Sequence, residues 1–290
     1  MFHARSALFP VVNLAPPARP PRQQAITVIR SNKGHPGFLD LMIHPQAHAK
    51  LHASVLVLID TGCGGTPKDA TAKVGCLRTF LETYPVADND YQPLNPGFSK
   101  DYVVICSHCH FDHIGKVAAL TASSAIWASS YDRSFIEGKD RLPTSSLCRF
   151  FGVETPKYKV THWADDVQHV QTSDSGDDLG LVIYHTPGHT PDQLAVWDPQ
   201  ERVIFVGDTL NTLGKLKSLV AAWNGDASDQ TIDTSAVCPF PRSTSAPSRV
   251  QIACGHITSA SDAQQLISDV DAFLYQVLEN RVPSKYQGKF

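Results

Sequence analysis

The sequence predicts a mixed α/β (α+β) fold in which two β-sheets pack face to face and helices cover their outer sides. Short apolar strand signals fall into two groups along the 290 residues, and helical patterns occur among and after them. Each sheet has to bury one face against another layer, so two such groups with helices at intervals favour a layered sandwich. A hydrophobic content of 42% with 18% charged residues is ordinary for a globular domain of this length.

The first group of strands lies in the amino-terminal half of the chain. Each signal is a short run of apolar, often β-branched residues bounded by turn-forming residues. These runs predict strands at 25–29, 38–43, 54–59, 102–106 and 125–128. Helices are predicted at 74–83, where the apolar residues share one helical face, and at 114–120.

The second group follows after a mixed stretch at 130–165, which has two candidate short helices at 134–136 and 146–151. Turn signals separate closely spaced strand signals. We predict strands at 167–171, 179–184, 194–197, 203–206 and 250–253. The chain closes with a predicted helix at 260–280, whose apolar residues recur at helical spacing.

Two segments stand apart from this pattern. Residues 1–23 form a proline-rich arm, and 24–290 form a single domain; the arm is rich in Arg, but its prolines would interrupt the amphipathic helix of a transit peptide. Residues 209–248 separate two strand signals, and their 231–248 portion is rich in Ser, Thr and Pro. Loops of such length are usually functional, so we predict a long insertion or lid there.

Composition excludes several classes of partner. A formal net charge of −3 gives no general attraction to phosphate backbones, so nucleic acid is not an expected partner. The longest clean apolar run, at 55–59, is far too short for a membrane span, so we expect no membrane partner. Seven cysteines, without the spacing of a disulfide framework or zinc ribbon, favour a reducing, cytoplasmic location. The sequence leaves open whether the protein forms a homo-oligomer.

Four side chains of metal-ligand type follow directly after the predicted strand at 102–106: His108, His110, Asp112 and His113. In an extended segment residues i and i+2 share one side, so His108 and His110 can converge on one cation while Cys109 faces away. Asp112 and His113 open a helical pattern and can turn toward a second cation beside the first. The stretch therefore indicates a metal site.

Three further residues of this type follow predicted strands and lie in turns: His189, Asp208 and His256. Seven candidate ligands thus arrive on four strand ends. A single buried His or strand-end Asp is more often a hydrogen-bonded scaffold residue, but five His and two Asp gathered in this way serve no packing purpose.

With these residues the sequence resembles the metallo-β-lactamase superfamily, whose HxHxDH signature, later His, bridging Asp and last His are matched in order. The resemblance spans roughly residues 54–280 and is more specific than any single motif. It implies the four-layer αβ/βα sandwich, with the ligand loops gathered at one edge between the sheets. The chain departs from the family at Gly115-Lys116, where a pair of glycines often closes the signature; this crowds the turn but removes no ligand.

The resemblance also implies a role for each residue in a centre of two divalent metal ions. The first site would comprise His108, His110 and His189, the second Asp112, His113 and His256, with Asp208 bridging the two. Neutral imidazoles suit zinc, and two cations about 3.5 to 4 Å apart can share a hydroxide, because metal binding lowers the pKa of water to roughly 7.

Two carboxylates have further implied roles. Asp112 would touch both a metal and the bridging solvent, and is the candidate for relaying a proton to the leaving group. Asp60, at the end of strand 54–59, matches the family's Asp that supports the metal loop from behind the ligands; the alternative is a turn-forming Asp before Gly62.

The ligand identities favour opening of a small-molecule lactone or γ-lactam by this hydroxide. The redox branch of the family carries Glu where this chain has His110, whereas Phe111 before the Asp resembles the lactonase-like branch. Asn211 stands where acyl-homoserine lactonases carry a Tyr, which argues against that particular substrate. The alternatives are thioester hydrolysis of the glyoxalase II type, for which Arg281, Lys285 and Lys289 have only the spacing of a solvated tail, and a non-catalytic metal-binding interaction protein. The residues that bind substrate are not predicted.

Other candidate ligands are set aside. His44, His48 and His52 would share one face of a helix, but no carboxylate or thiolate joins them, so we expect 44–52 to be a solvated connection between two strands. Cys106, Cys109 and Cys254 alternate away from the ligands, and His185 precedes His189 by four; all four are expected to be packing or supporting residues.

Overall fold

Two β-sheets lie face to face, and helices pack on the outer side of each. The computed structural model describes residues 12–13, 26–30, 46–63, 76–86, 89–137, 140–208, 213–225, 248–256, 261–279 and 281. Of these, residues 12–13, 26–30, 46, 123 and 213 are described by their backbone only. The order of layers through the molecule is helices, first sheet, second sheet, helices. This is the four-layer αβ/βα sandwich that the sequence predicts.

The first sheet contains seven strands in chain order. They are β1 (Val12–Asn13), β2 (Ile26–Arg30), β3 (Gln46–Leu51), β4 (Val55–Ile59), β5 (Asp101–Ile105), β6 (Ser124–Ser129) and β7 (His162–Ala164). Strands β1 to β4 pair antiparallel, whereas β4 to β7 pair parallel. The carboxyl ends of the parallel strands therefore meet at one edge of this sheet.

The second sheet contains six strands in the order β13-β12-β11-β10-β9-β8. They are β8 (Gln168–Gln171), β9 (Asp178–His185), β10 (Leu194–Asp198), β11 (Val203–Phe205), β12 (Gln251–Ala253) and β13 (Ser261–Asp262). All neighbours pair antiparallel except β11 and β12, which are parallel.

The described helices are α1 (Leu77–Thr83), α2 (Phe111–Ile114), α3 (Arg133–Ile136), α4 (Leu142–Ser145), α5 (Cys148–Phe151), α6 (Leu213–Asn224) and α7 (Ala263–Leu278). Helix α1 buries Leu77 and Leu81 on the outer side of the first sheet. Helices α6 and α7 pack on the outer side of the second sheet, and Asp262 caps α7 by accepting a hydrogen bond from the amide of Gln265.

The main core lies between the sheets. The inward side chains of β4 and β5, including Val57 and Ile105, meet those of β9 and β11, including Leu181 and Phe205. Alternate residues of the same strands face the helical layers instead, which is why these strands are apolar on both faces.

Most predicted elements are confirmed with shifts of one to three residues at their ends, apart from 38–43, which lies outside the described residues. The continuous helix expected at 114–120 is wrong: α2 ends at Ile114, and a separate 3-10 turn follows at Val117–Ala119. Helix α6 lies within 209–248, and β1 lies within 1–23; the domain boundary and the lid remain predictions. Among the described helices, none is long and apolar enough to cross a membrane.

The prediction for 44–52 is also wrong, because Gln46–Leu51 is strand β3 rather than a solvated connection. Ala47 and Ala49 face the outer helical layer, whereas His48 and Lys50 point between the sheets. The ring of His48 lies 4.7 Å from that of Phe205. Lys50 forms an ion pair at 2.6 Å with Asp198, and both side chains are almost fully buried. Polar residues on the inner face hid the alternation that identifies a strand.

Candidate metal centre

Strand direction places the first four candidate ligands at one edge of the first sheet. In the parallel pair β4 and β5, Ile59 is opposite Ile105, so Asp60 and the loop that begins at Ser107 leave the sheet side by side. The amide of Asp60 donates to the carbonyl of Ile105 at 2.9 Å, which holds the two strand ends together.

The second sheet delivers the other three ligands to an edge of its own. Strands β11 and β12 are parallel, with Phe205 opposite Ala253, so Asp208 and His256 follow at the same end. Strand β9 runs in the direction of β11, because both are antiparallel to β10, and so His189 follows at this end too. The two edges meet, since the amide of Leu194 donates to the carbonyl of Ser107 at 2.7 Å.

The metal loop changes from extended to helical within a few residues. His110 is extended, with φ −64° and ψ 147°, and it is the N-cap of α2. The amide of His113 then donates to the carbonyl of His110 at 2.9 Å. This change of backbone conformation separates the side chains of His108 and His110 from those of Asp112 and His113, so that one loop supplies two groups.

The first group consists of three histidines, His108, His110 and His189. One nitrogen from each lies within 4.8 Å of the others. Nδ1 of His110 and Nε2 of His189 are 3.0 Å apart, and the three ring centroids are 4.7 to 5.0 Å from one another. His108 is buried whereas His189 is 30% exposed, so the group is accessible from the His189 side.

The second group consists of Asp112, His113, Asp208 and His256, whose ligand atoms also lie within 4.8 Å of one another. Nε2 of His256 is 3.2 Å from Oδ2 of Asp112 and 3.1 Å from Oδ2 of Asp208. Nε2 of His113 is 3.0 Å from Oδ1 of Asp208.

Asp208 lies between the two groups. Its Oδ2 is 3.7 Å from Nε2 of His189 and 4.0 Å from Nε2 of His108, in addition to its contacts in the second group. The structure therefore brings together all seven residues that the sequence singles out, in the two predicted sets, with Asp208 in a position to bridge them.

Three of the converging atoms are buried without a well-formed hydrogen bond: Nε2 of His108 has no partner, and Nε2 of His113 and Oδ1 of Asp208 face each other at 3.0 Å without hydrogen-bond geometry. Buried polar atoms in proteins are nearly always paired. Imidazole nitrogens and carboxylate oxygens are ligands for divalent transition-metal ions, so the unpaired atoms and the donor set fit bound cations.

Carboxylates dominate the electrostatics of the second group. Burial alone would lower the pKa of His113, but Asp208, Asp60 and Asp112 raise that pKa well above its ordinary value. Burial would likewise lower the pKa of His256, but its hydrogen bonds to Asp112 and Asp208 raise it to about 9. A field that retains a proton on an imidazole also attracts a metal cation.

In the first group the pKa values of the histidines are shifted in the opposite direction, downward. Burial, together with the neighbouring His189, lowers the pKa of His110 to about 4. Burial and the neighbouring His113 lower the pKa of His108 well below its ordinary value. These imidazoles are therefore neutral at pH 7, which is the form that binds a metal.

Two glycines permit the close approach of the second sheet's loops. A Cβ atom at Gly255 would lie 2.6 Å from both Oδ1 of Asp208 and Cε1 of His113. At Gly207, where φ is +54°, it would lie 2.5 Å from Oγ of Ser107. The amide of Gly255 donates to the carbonyl of Gly207 at 2.6 Å. Side chains at these positions would displace the bridging carboxylate or the metal loop.

Asp60 supports the loop from behind the ligands. Its Oδ2 is 2.7 Å from Nδ1 of His113, and its Oδ1 accepts a hydrogen bond of 2.7 Å from the amide of Ser107. Sequence reasoning missed Ser107 and Gly255. Only their positions in the sequence could have identified them. Ser107 directly follows the strand beside Asp60, and Gly255 directly precedes His256.

The residues set aside from the sequence lie outside both ligand groups. Cys106, Cys109 and Cys254 are buried, and burial raises the pKa of the Cys254 thiol to about 12. His185 Nε2 lies 2.8 Å from the carbonyl oxygen of Ala164. None of the described residues within 44–52 belongs to either ligand group.

An αβ/βα sandwich with two adjoining groups of His and Asp side chains, at the edge where its two sheets meet, defines a class of metal-dependent hydrolytic proteins. A family profile described as "Metallo-beta-lactamase superfamily" matches residues 52–237. The chain belongs to this superfamily.

The chain is also similar to individual proteins. A protein named "Putative transcription factor avaE" from Aspergillus versicolor is 33% identical over 250 residues, which cover 84% of this chain and 72% of that protein. A hydroxyacylglutathione hydrolase from Legionella pneumophila (strain Corby) is 29% identical over 112 residues, covering 38% of this chain but only 34% of the relative. A metallo-beta-lactamase family protein from Thermus thermophilus shares the fold with a TM-score of 0.56 and 15% identity, over 88% of this chain and 81% of its own.

Proposed function

We propose that this protein is a binuclear metal-dependent hydrolase that opens a small-molecule cyclic ester or amide, a lactone or γ-lactam. The observation that carries the proposal is the convergence of seven ligand side chains from both sheets on two adjoining groups, in which the buried Nε2 of His108 has no hydrogen-bond partner. A scaffold built only for stability would leave such an atom paired.

The two groups would each hold one divalent ion, for which zinc is the favoured identity because imidazoles predominate. When bound, such a pair supplies a water that is deprotonated near neutral pH and a Lewis acid for the carbonyl oxygen of the substrate. Asp208, in contact with both groups, would hold the two sites at a fixed separation.

Asp112 is the proposed proton carrier. Its side chain is 3% exposed, and its Oδ2 is 3.2 Å from Nε2 of His256. Burial would raise its pKa, but the neighbouring His113 keeps that pKa below the ordinary value, so the group is a carboxylate at pH 7. A carboxylate at this position can accept a proton at Oδ2 and return it to the alkoxide or amide nitrogen that leaves when the ring opens.

Thioester hydrolysis of the glyoxalase II type is the second candidate, and the similarity to the Legionella hydroxyacylglutathione hydrolase favours it. A basic patch for glutathione near the carboxyl terminus would strengthen this candidate. Arg281 instead forms an ion pair at 2.6 Å with Glu279 and stacks over the ring of Tyr275, while Lys285 and Lys289 lie outside the described residues. Ring opening is therefore preferred.

A third candidate is a metal-binding interaction protein without catalysis, in keeping with the name of the Aspergillus versicolor relative. Loss of ligands would be expected in such a protein, yet all seven residues are present and convergent. The net charge of −3 offers no general attraction to DNA. We expect a small molecule as the partner and a reducing, cytoplasmic setting, since six described cysteines are free thiols.

Metal analysis combined with a substrate panel tests the proposal. The purified protein is reconstituted with zinc, and metal content is measured together with hydrolysis of an aromatic γ-lactone, an aromatic γ-lactam and S-lactoylglutathione. Two zinc equivalents with turnover of the lactone or lactam, but not the thioester, are expected. The opposite preference supports the glyoxalase type, metal binding without any turnover supports the interaction protein, and no metal binding overturns all three.

A further inference from the structure

Ser107 lies between the supporting carboxylate and a ligand of the first group. Its hydroxyl oxygen is 2.8 Å from Oδ2 of Asp60 and 3.1 Å from Nδ1 of His108. The side chain is 1% exposed, so water does not compete for these contacts. Its own amide also donates to Oδ1 of Asp60 at 2.7 Å, which fixes the backbone beneath the hydroxyl.

The chemistry of the three groups determines where the protons lie. A carboxylate only accepts hydrogen bonds, so the single hydroxyl proton of Ser107 points to Oδ2 of Asp60. The hydroxyl oxygen is then an acceptor toward His108, which must carry its proton on Nδ1. The reverse arrangement would place two oxygens 2.8 Å apart with no proton between them. Nε2 of His108 is therefore left with a free lone pair, and this is the buried unpaired atom of the first group.

The same carboxylate oxygen acts directly on the second group. Oδ2 of Asp60 lies 2.7 Å from Nδ1 of His113, so the Nδ1 proton of that ring points to the carboxylate and away from the ligand group. Asp60 thus reaches His113 in one step and His108 in two steps, through Ser107. Gly207 closes the space around the relay, since any Cβ there would lie 2.5 Å from the Ser107 hydroxyl.

We propose that Ser107 is a positioning residue that transmits the orientation set by Asp60 to His108, so that one buried carboxylate prepares a ligand in each of the two metal sites. The inference rests on the proposed binuclear centre and assigns Asp60 and Ser107 separate supporting roles in it. Loss of the hydroxyl should weaken the first site selectively, whereas loss of the Asp60 charge should weaken both sites. Removal of such supporting partners typically costs 10- to 100-fold in metal affinity.

The test measures zinc affinity site by site, by competition with a chromophoric chelator, and needs no substrate. His189→Ala and His256→Ala identify which binding step belongs to the first and which to the second group. For Ser107→Ala we expect about a 10- to 100-fold loss at the first site and less than about 3-fold at the second. Asp60→Asn should weaken both sites, and Ser107→Thr, which keeps the hydroxyl, should restore most of the first-site affinity.

Ser129→Ala is the matched control. Ser129 is also 1% exposed and at the end of a strand, and its hydroxyl is 3.4 Å from Nε2 of His185, which is not a candidate ligand. Its loss should leave both zinc affinities unchanged while lowering the melting temperature of the metal-free protein about as much as Ser107→Ala does. Equal zinc affinities for Ser107→Ala and wild type, or an equal loss at both sites, would overturn the relay. Failure of the wild type to bind two zinc ions would instead reject the binuclear centre itself.

Discussion

Replacing Gly255 by alanine tests whether the loop after β12 must approach Asp208 and His113 as closely as the structure indicates. A Cβ atom would lie 2.6 Å from an atom of each residue, and 3.3 Å from the carbonyl oxygen of Gly207. Ordinary contacts of carbon begin at about 3.4 Å, so the two side chains must retreat by about 0.8 Å. The backbone at Gly255 does not have a positive φ, so the contact alone is perturbed.

A displacement of this size affects the bridging carboxylate directly. Supporting changes around metal ligands cost about 10- to 100-fold in affinity, which corresponds to about 1.4 to 2.8 kcal/mol of binding free energy. We expect Gly255→Ala to lower zinc affinity by this factor, as measured by chelator competition. The loss of affinity at the second site should be at least as large as the loss at the first site. The variant should also show a smaller rise in melting temperature on adding zinc, since less binding free energy is linked to folding.

Gly214→Ala is the control for the glycine substitution itself. Gly214 lies in the first turn of α6, is exposed, and has no atom within 4 Å of the position where its Cβ would be. Alanine should stabilise this helix by up to about 1 kcal/mol and leave zinc binding unchanged. If Gly255→Ala binds two zinc ions as tightly as Gly214→Ala, the close approach in the structure is wrong.

Three further predictions concern the bridge, the core and pH. Asp208→Ala should lower metal occupancy and abolish turnover, whereas His48→Ala should change neither; metal loss in the His48 variant would contradict the site assignment. Lys50→Met strands a buried carboxylate at a cost of about 3–5 kcal/mol. With an unfolding entropy of about 2.1 cal/mol/K per residue and 290 residues, this cost lowers the melting temperature by about 5–8 °C. Adding Asp198→Asn should recover part of the loss. A decrease below about 2 °C argues against burial of the pair. The pKa of His256 is raised to about 9, so the metal-free protein should lose stability as the pH rises from about 6.5 to 9. Zinc affinity should rise over the same range, because the imidazole loses the proton that competes with the metal. Melting temperatures measured across this range with chelator and with zinc test both expectations.

Part of the ligand set was predictable from short-range geometry, whereas the addition of His189, Asp208 and His256 to it was implied by the resemblance to the superfamily. Residues two apart on an extended segment share a side, and parallel neighbours such as β4 and β5 end at one edge, so His108 and His110 could be placed from spacing alone. The distances between groups were not predictable, because they depend on how closely the two sheets approach. Gly255 shows this limit: its importance arises from contacts with residues 47 and 142 positions away in sequence, Asp208 and His113.

Strand β3 shows a different limit. Hydrophobic alternation identifies a strand only when its buried face is apolar. The inner face of β3 carries His48 and Lys50, each matched by a partner on the other sheet, Phe205 and Asp198. No local pattern reveals a partner 148 positions away, as Asp198 is from Lys50. The sequence therefore suggested a solvated connection where the structure has a buried strand.

Each ligand group contains residues from both sheets, so metal binding is linked to the stability of the folded protein. The first group joins two histidines of the loop after β5 to His189 after β9, and the second joins Asp112 and His113 to Asp208 and His256. A cation at either position therefore links the two halves of the sandwich. Binding energy that depends on both sheets being docked adds to the stability of the folded state. In the metal-free protein the core between the sheets holds the two halves together, and the raised pKa values of His113 and His256 keep positive charge beside Asp112 and Asp208 at pH 7. A bound cation would replace that charge and add a direct link between the sheets.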